Sequence, residues 1–387
     1  MLFGLVALSI PSVRHRIHEG FYYIHVLLTI TYLGLLFWHA ANIMDSWAYL
    51  WATVSLWLAS YLARSFWYTR PLNLKSEWLI GAPTTLLKLP GGMTRIEVLA
   101  PVDFRHYPAQ HCFLRFPAIS LVDNHPFTII SVPQVEDVAM EGERHDMKGN
   151  TKPQILVFLA RTHDGFTRKL ANHVASRTDI LASAWVDGPY GGVGRPIEQL
   201  YDQLVLVAGG SGITACLPWL QHVVNRSCTV GKTDVRLKRV VLHWIMRDEE
   251  HFVWIENEVR DISLAANRGN STVDTKFYVM GGSAKPLSAV KKVDESMSAE
   301  KKAKKINATT FQSSSSERAD FPREFIYERP AMNKLLLDLE SHGRSFVIGC
   351  GPEGLRTDLS NACADAQVRV LKGDIQEVDM HLEAFGW

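Results

Sequence analysis

Two apolar runs near the start limit the folding of this chain more than any other feature. Residues 21–41 contain no Asp, Glu, Lys or Arg, and a second run, 47–63, follows a short polar break. A bilayer core needs about 20 such residues per helix, and in lipid only helices or closed barrels satisfy every backbone group. Arg14 and Arg16 precede the first run, Arg64, Arg70 and Lys75 follow the second, and only Asp45 lies between them. Positive charge collects on the cytoplasmic side. The pattern therefore predicts a membrane hairpin, helices at 21–41 and 47–68 within a domain 1–72, with both ends cytoplasmic. The tryptophans Trp38, Trp47, Trp51, Trp57, Trp67 and Trp78 crowd this region, as interfacial girdles do. The opening stretch 1–13 is apolar but too short to span, and reads as the stub of a preceding helix.

His25 and His39 stand out within the first run. Fourteen residues apart, they fall within about 40° of each other on one helical face, separated by roughly 21 Å of rise. Imidazoles inside a membrane are costly and usually functional. Two at different depths suit two stacked haems, each taking one axial ligand from this helix; they equally fit a pair of interfacial histidines.

From residue 81 the periodicity shortens to alternating strands broken by Pro and Gly, which predicts a small antiparallel β-barrel over 81–195. Within it lies His125-Pro126-Phe127-Thr128. Pro126 pins the backbone and biases its neighbour to an extended conformation. Phe127 offers a flat wall for an isoalloxazine, and Thr128 a hydrogen bond near N5. A buried edge strand with a proline has the same spacing. Further on, Arg161, Gly165 and Thr167 read as strand end, turn and helix start, where backbone N–H groups and the Thr167 hydroxyl can hold a pyrophosphate; Thr167 is equally suited to an ordinary helix cap.

The last half alternates strand and helix, which predicts a doubly wound α/β domain over 196–387. A continuous apolar run at 204–208 leads into Gly209-Gly210-Ser211-Gly212-Ile213-Thr214-Ala215. Gly210, Gly212 and Ala215 fit the dinucleotide fingerprint in its alanine-ended form, with a plain β–α turn as the other reading. Strands are expected at 239–246, 275–280 and 344–350, and helices at 249–262, 332–340 and 353–366. Arg247, after the second strand, occupies the place of the usual ribose-binding acid. It favours a 2′-phosphate, hence NADPH, unless it is simply a surface arginine. The lysine- and serine-rich stretch 283–322 cannot bury a core and is expected to be a disordered insertion.

A net charge of +1 gives no reason to expect nucleic acid. The five cysteines (Cys112, Cys216, Cys228, Cys350 and Cys363) show no metal-ligand spacing and read as reduced cytosolic thiols.

Taken in order, these parts resemble the ferric reductase and NADPH oxidase superfamily, and the fungal ferric-chelate reductases in particular. His125–Thr128 is similar to that family's flavin tetrapeptide, and Arg161, Gly165 and Thr167 to its pyrophosphate segment. Gly188-Pro189-Tyr190-Gly191 resembles the turn into its nucleotide domain. Gly209, Gly210, Gly212 and Thr214 with Pro218, and Gly349-Cys350-Gly351-Pro352, resemble its nicotinamide motifs. The resemblance implies a ferredoxin-reductase-like module carrying FAD and NADPH, with Cys350 near the hydride path and Phe385 or Trp387 over the flavin. It implies haem b on His25 (inner) and His39 (outer), although the helix that bears the partner histidines in the family is missing here, so the chain reads as truncated. The implied activity is NADPH-dependent reduction of ferric or cupric chelates by an integral protein, in contact with membrane lipid, of the plasma membrane, its flavin module in the cytosol. A superoxide-producing oxidase, a membrane-anchored flavin diaphorase without haem and an inactive nucleotide-binding scaffold are the rival readings. Nothing in the sequence identifies a protein partner.

Overall fold

The computed structural model describes residues 18–67, 81–101, 104–120, 123–132, 154–175, 179–229, 235–266, 272–281 and 324–384, with Val6 and Ile10. Phe385, Trp387 and the whole of the expected insertion fall outside these residues.

The two apolar runs fold as a pair of helices, α1 (His18–Ala40) and α2 (Ser46–Trp67). Ala41, Asn42, Met44 and Asp45 take left-handed backbone angles in the connection. Trp47 closes it by donating its ring N–H to the carbonyl of Phe37 at 3.0 Å. Thr53 and Ser60 return their hydroxyls to carbonyls one turn back, at 2.9 and 2.8 Å, which satisfies those donors within an apolar helix. Among the described residues one stretch, Tyr23–Ala40, is long and apolar enough to cross a membrane by itself.

Six antiparallel strands follow: β1 (Ala82–Leu89), β2 (Met93–Ala100), β3 (His111–Arg115), β4 (His125–Thr128), β5 (Gln154–Arg161) and β6 (Asp179–Tyr190). They lie in the order β4-β3-β6-β1-β2-β5. A bridge between Ile129 and Phe158 brings the two edges together, so the sheet closes as the barrel that the alternation predicts. Leu86, Ile96, Leu114, Phe158 and Val186 fill it. Helix α3 (Phe166–Ala175) adds Phe166, Leu170 and Val174 to that core.

The second sheet is wholly parallel: β7 (Gln203–Gly209), β8 (Arg239–Met246), β9 (Thr272–Val279), β10 (Phe325–Ile326), β11 (Arg344–Cys350) and β12 (Glu377–Glu383). Its order is β10-β9-β8-β7-β11-β12. Helices α4 (Ile197–Leu200), α5 (Ile213–Thr229), α6 (Glu256–Ala266), α7 (Met332–Leu335) and α8 (Glu353–Leu371) complete this domain.

Two helices differ from their sequence-based expectation. The expected helix 249–262 is a 3-10 stretch, Glu249–Trp254, followed by α6. Docking against the barrel decides this: Trp254 donates its ring N–H to the carbonyl of Pro90 at 2.8 Å. The expected helix 332–340 stops at Leu335. Arg369 takes the carbonyls of Leu336 and Leu337, and Gln203 and Arg239 take that of Asp338, so these acceptors are satisfied without another helical turn.

The two domains share one apolar core. Met93, Ile130, Val157 and Leu159 of the barrel pack in the same cluster as Trp244, Trp254 and Val259. An ion pair from Arg95 on β2 to Glu258 on α6, 2.6 Å long with side chains 13% and 10% exposed, crosses the same boundary. An apolar boundary of this kind opposes the relative motion expected of loosely joined domains.

Candidate active site

The parallel sheet reverses direction of winding between β7 and β11, and ligands of open α/β sheets bind beyond the carboxyl ends of the strands at such a point. The chain's two glycine-rich turns meet there. A Cβ on Gly212 would lie 2.2 Å from the Cys350 carbonyl oxygen, so the residue after the first turn must be glycine for the second turn to approach. Gly351 and Gly209 are equally close, since a Cβ on Gly351 would lie 3.1 Å from the Gly209 Cα. Gly349 packs under Leu359 and Leu382. Pro352 starts α8 beside Gly209.

Gly210 has a different role. Its φ of +54° is in the left-handed region, and the nearest atom to a Cβ there would be Arg161 Nη1 at 3.9 Å. The glycine thus faces open space under a guanidinium that belongs to the other domain. Trp244 holds the turn by donating its ring N–H to the Gly210 carbonyl at 2.9 Å. Thr214 is buried and donates its hydroxyl to the Ser211 carbonyl at 3.0 Å, so it stiffens the turn. Backbone N–H groups at the start of α5, an adjacent Arg161 and an open glycine face are the elements of a pyrophosphate cradle. Arg247 is exposed at the end of β8, and Arg161 and Arg247 both act on His251. Burial pushes the His251 imidazole below its ordinary range, and the two arginines add to that shift.

On the barrel side, β4 is a sheet-edge strand whose His125, Pro126 and Phe127 are half-buried, while Thr128 is buried. His125 stacks on Phe166, with ring centroids 4.6 Å apart and planes 14° from parallel. Gly165, φ +69°, makes the turn into α3. Thr167 accepts the His163 backbone N–H at 2.8 Å, so its hydroxyl oxygen orders the loop between Arg161 and α3. The half-exposed strand, the ordered loop and the cradle together fit FAD and a nicotinamide dinucleotide.

Cys350 ends β11 fully buried, and burial, with Glu383 adding to it, pushes its thiol up to about 12. It is a neutral thiol at physiological pH, suited to packing against a ligand ring rather than to nucleophilic attack. Glu383 sits opposite Cys350 in the β11–β12 register and interacts with His381 Nε2 at 3.0 Å. Its charge also reaches His111 on β3. Trp244, His251, His111 and Glu383 were absent from the sequence-based site. Each lies in an ordinary-looking strand or turn; Trp254 packs against both Trp244 and His251, while Glu383 and His111 meet across the two domains.

His25 and His39 both lie on α1, His25 with its ring 5.2 Å from that of Phe21. Helix α2 carries no histidine. The hairpin therefore offers one imidazole at each level and does not by itself complete a bis-imidazole haem site. Among the described residues no cluster of three or more His, Cys, Asp or Glu could hold a metal ion.

A closed antiparallel barrel beside a parallel sheet, with a glycine-rich turn beneath Arg161 of the barrel, defines a flavin–nicotinamide electron-transfer module. Residues 82–193 match the family model of an FAD-binding domain, and residues 201–364 that of the ferric reductase NAD-binding domain. The chain belongs to the ferric reductase and NADPH oxidase superfamily. It is 34% identical over 253 residues to a probable cell surface ferric reductase, kap2, of Aspergillus oryzae, covering 65% of this chain and 32% of that protein. It is 25% identical over 398 residues to ferric/cupric reductase transmembrane component 7 of Saccharomyces cerevisiae (strain YJM789), covering 98% of this chain and 59% of that protein. The chain thus spans less than two thirds of either relative. Among solved structures it is similar to a ferredoxin NADP+ reductase from Neisseria gonorrhoeae with bound FAD and NADP, at 12% identity and a TM-score of 0.45, covering 78% of this chain and 97% of that one.

Proposed function

We propose that this chain is a membrane-anchored, NADPH-dependent ferric- or cupric-chelate reductase, placed in the plasma membrane with its flavin module on the cytosolic side. The observation that carries this reading is the cleft where Gly209 and Gly212 meet Cys350 and Gly351, with Gly210 open beneath Arg161. It supports a dinucleotide lying with its pyrophosphate at the start of α5 and its reactive ring near Cys350. Arg247 favours the 2′-phosphate of NADPH over the bare ribose of NADH. Bound FAD supplies the conversion of a two-electron donor into single electrons for a metal chelate. The chain's own residues orient: β4 presents a wall for the flavin, Arg161 offsets pyrophosphate charge, and Trp244 fixes the turn. Phe385 and Trp387 follow β12 in the sequence and are assigned to the flavin face as part of this proposal.

The test uses membranes expressing the full chain, NADPH and a ferric chelate, with oxygen supplied or withheld. Ferric reduction that persists without oxygen and is insensitive to superoxide dismutase is expected. Reduction that needs oxygen and is abolished by the dismutase would instead make the chain a superoxide producer.

A further inference from the structure

The start of the membrane span and the lead-in to the flavin strand are joined by a single carboxylate. Tyr23, the first residue of the span, donates its hydroxyl to Asp123 Oδ1 at 2.9 Å. Lys169 on α3 reaches the other oxygen, Oδ2, at 3.3 Å. The Asp123 backbone N–H bonds the Ser120 hydroxyl at 3.3 Å. Asp123 is 8% exposed. Burial alone would push its carboxyl above the ordinary value, but the bonds with Ser120, Tyr23 and Lys169 outweigh it and hold the carboxyl below that value. A buried carboxylate with both oxygens matched is geometrically exacting, because charge-assisted bonds lose strength quickly when misaligned.

Position gives this contact its meaning. Asp123 precedes His125 of the flavin strand by two residues, and Tyr23 precedes His25 by two on α1. Lys169 shares α3 with Phe166, on which His125 stacks. One carboxylate therefore ties the membrane helix, the flavin strand and the helix that backs it. Tyrosine suits the place, since its ring sits in the membrane interface while its hydroxyl reaches the aqueous side.

We infer that Tyr23, Asp123 and Lys169 form a seat by which the flavin barrel docks on the cytosolic end of α1, fixing the flavin's position relative to the membrane. The three are positioning residues. They act on the passage of electrons out of the flavin and leave hydride delivery at the opposite face untouched. The role in electron transfer rests on the reading under Proposed function; the seat itself does not.

The full chain in membranes tests both. Tyr23→Cys with Asp123→Cys should be joined by a bismaleimide cross-linker whose reach matches the two side chains replaced, since the Tyr–Asp contact holds the backbones too far apart for a direct disulfide. Tyr23→Cys with Lys238→Cys, a distant surface position, should not. Tyr23→Phe and Asp123→Asn should each keep NADPH–ferricyanide turnover within twofold, since ferricyanide takes electrons directly from flavin, while ferric-chelate reduction falls at least fivefold. The double variant should be no slower than the slower single one, as expected for two members of one contact. No cross-link above the control, or chelate and ferricyanide rates that fall together, would overturn the seat. A cross-link in a chain that lacks ferricyanide turnover would keep the seat and refute the reductase reading.

Discussion

Gly212 shows how one residue type can be imposed by its neighbour. An alanine there would drive a methyl to within 2.2 Å of the Cys350 carbonyl oxygen, a backbone atom that cannot swing away. Gly212→Ala should separate the two turns, destabilise the domain by about 1–3 kcal/mol and slow flavin reduction by NADPH at least tenfold in stopped flow. An unchanged rate would mean the two turns do not jointly form the nucleotide site. The buried Cys350 thiol, pushed up to about 12, should resist maleimide in the native protein and react on denaturation. Protection should also increase when NADPH is present.

His243 makes a pH prediction at the same scale. It lies in the middle of β8, interacting with the Tyr278 hydroxyl at 3.3 Å, and burial pushes it down to about 4. The unfolded chain takes up this proton near pH 6.5 while the folded chain does not. Its contribution is thus present above 6.5 and is lost as pH falls toward 4, at up to about 1.4 kcal/mol per pH unit. His243→Gln should flatten the decline of the thermal midpoint over that window; an identical decline would assign the acid sensitivity to other groups.

At the level of elements, legibility followed how much of each pattern was local. The run leading into β7 was readable because a strand covered on both faces is apolar throughout and its turn glycines are adjacent in sequence. β12 was not: Glu377-Val378-Asp379-Met380-His381-Leu382-Glu383 looks like exposed chain and is a strand only because β11 pairs with it. The glycines of the site were visible as a fingerprint, whereas Trp244 and Glu383 have no local signature. Thr167 and Thr214 lie in the first turns of α3 and α5, and each hydroxyl bonds back to the backbone of the segment just before its helix. The boundary between domains carries the prediction here. Arg95→Ala leaves Glu258 with a buried charge and should destabilise the chain by about 3–5 kcal/mol, while replacing Arg95 and Glu258 together by Met and Leu should be near neutral. Additive losses in the double variant, measured by chemical denaturation, would show that the pair is not coupled.

At the scale of the whole molecule, one core locks the barrel to the parallel-sheet domain, and Asp123 of the barrel meets Tyr23 of the N-terminal hairpin. The charge balance, the barrel and the parallel sheet were each legible separately, but their closure on one cleft was not, because it depends on contacts such as Trp254 with Pro90 that join residues 164 apart in sequence. The central claim is that this cleft passes hydride from NADPH to a bound flavin. The most direct measurement is anaerobic stopped flow on the detergent-solubilised full chain loaded with FAD. The flavin's visible absorbance should bleach on mixing with NADPH, at least tenfold faster than with NADH, and Arg247→Ala should narrow that ratio. A chain that retains no FAD, or a flavin that stays oxidised in excess NADPH, would contradict the account.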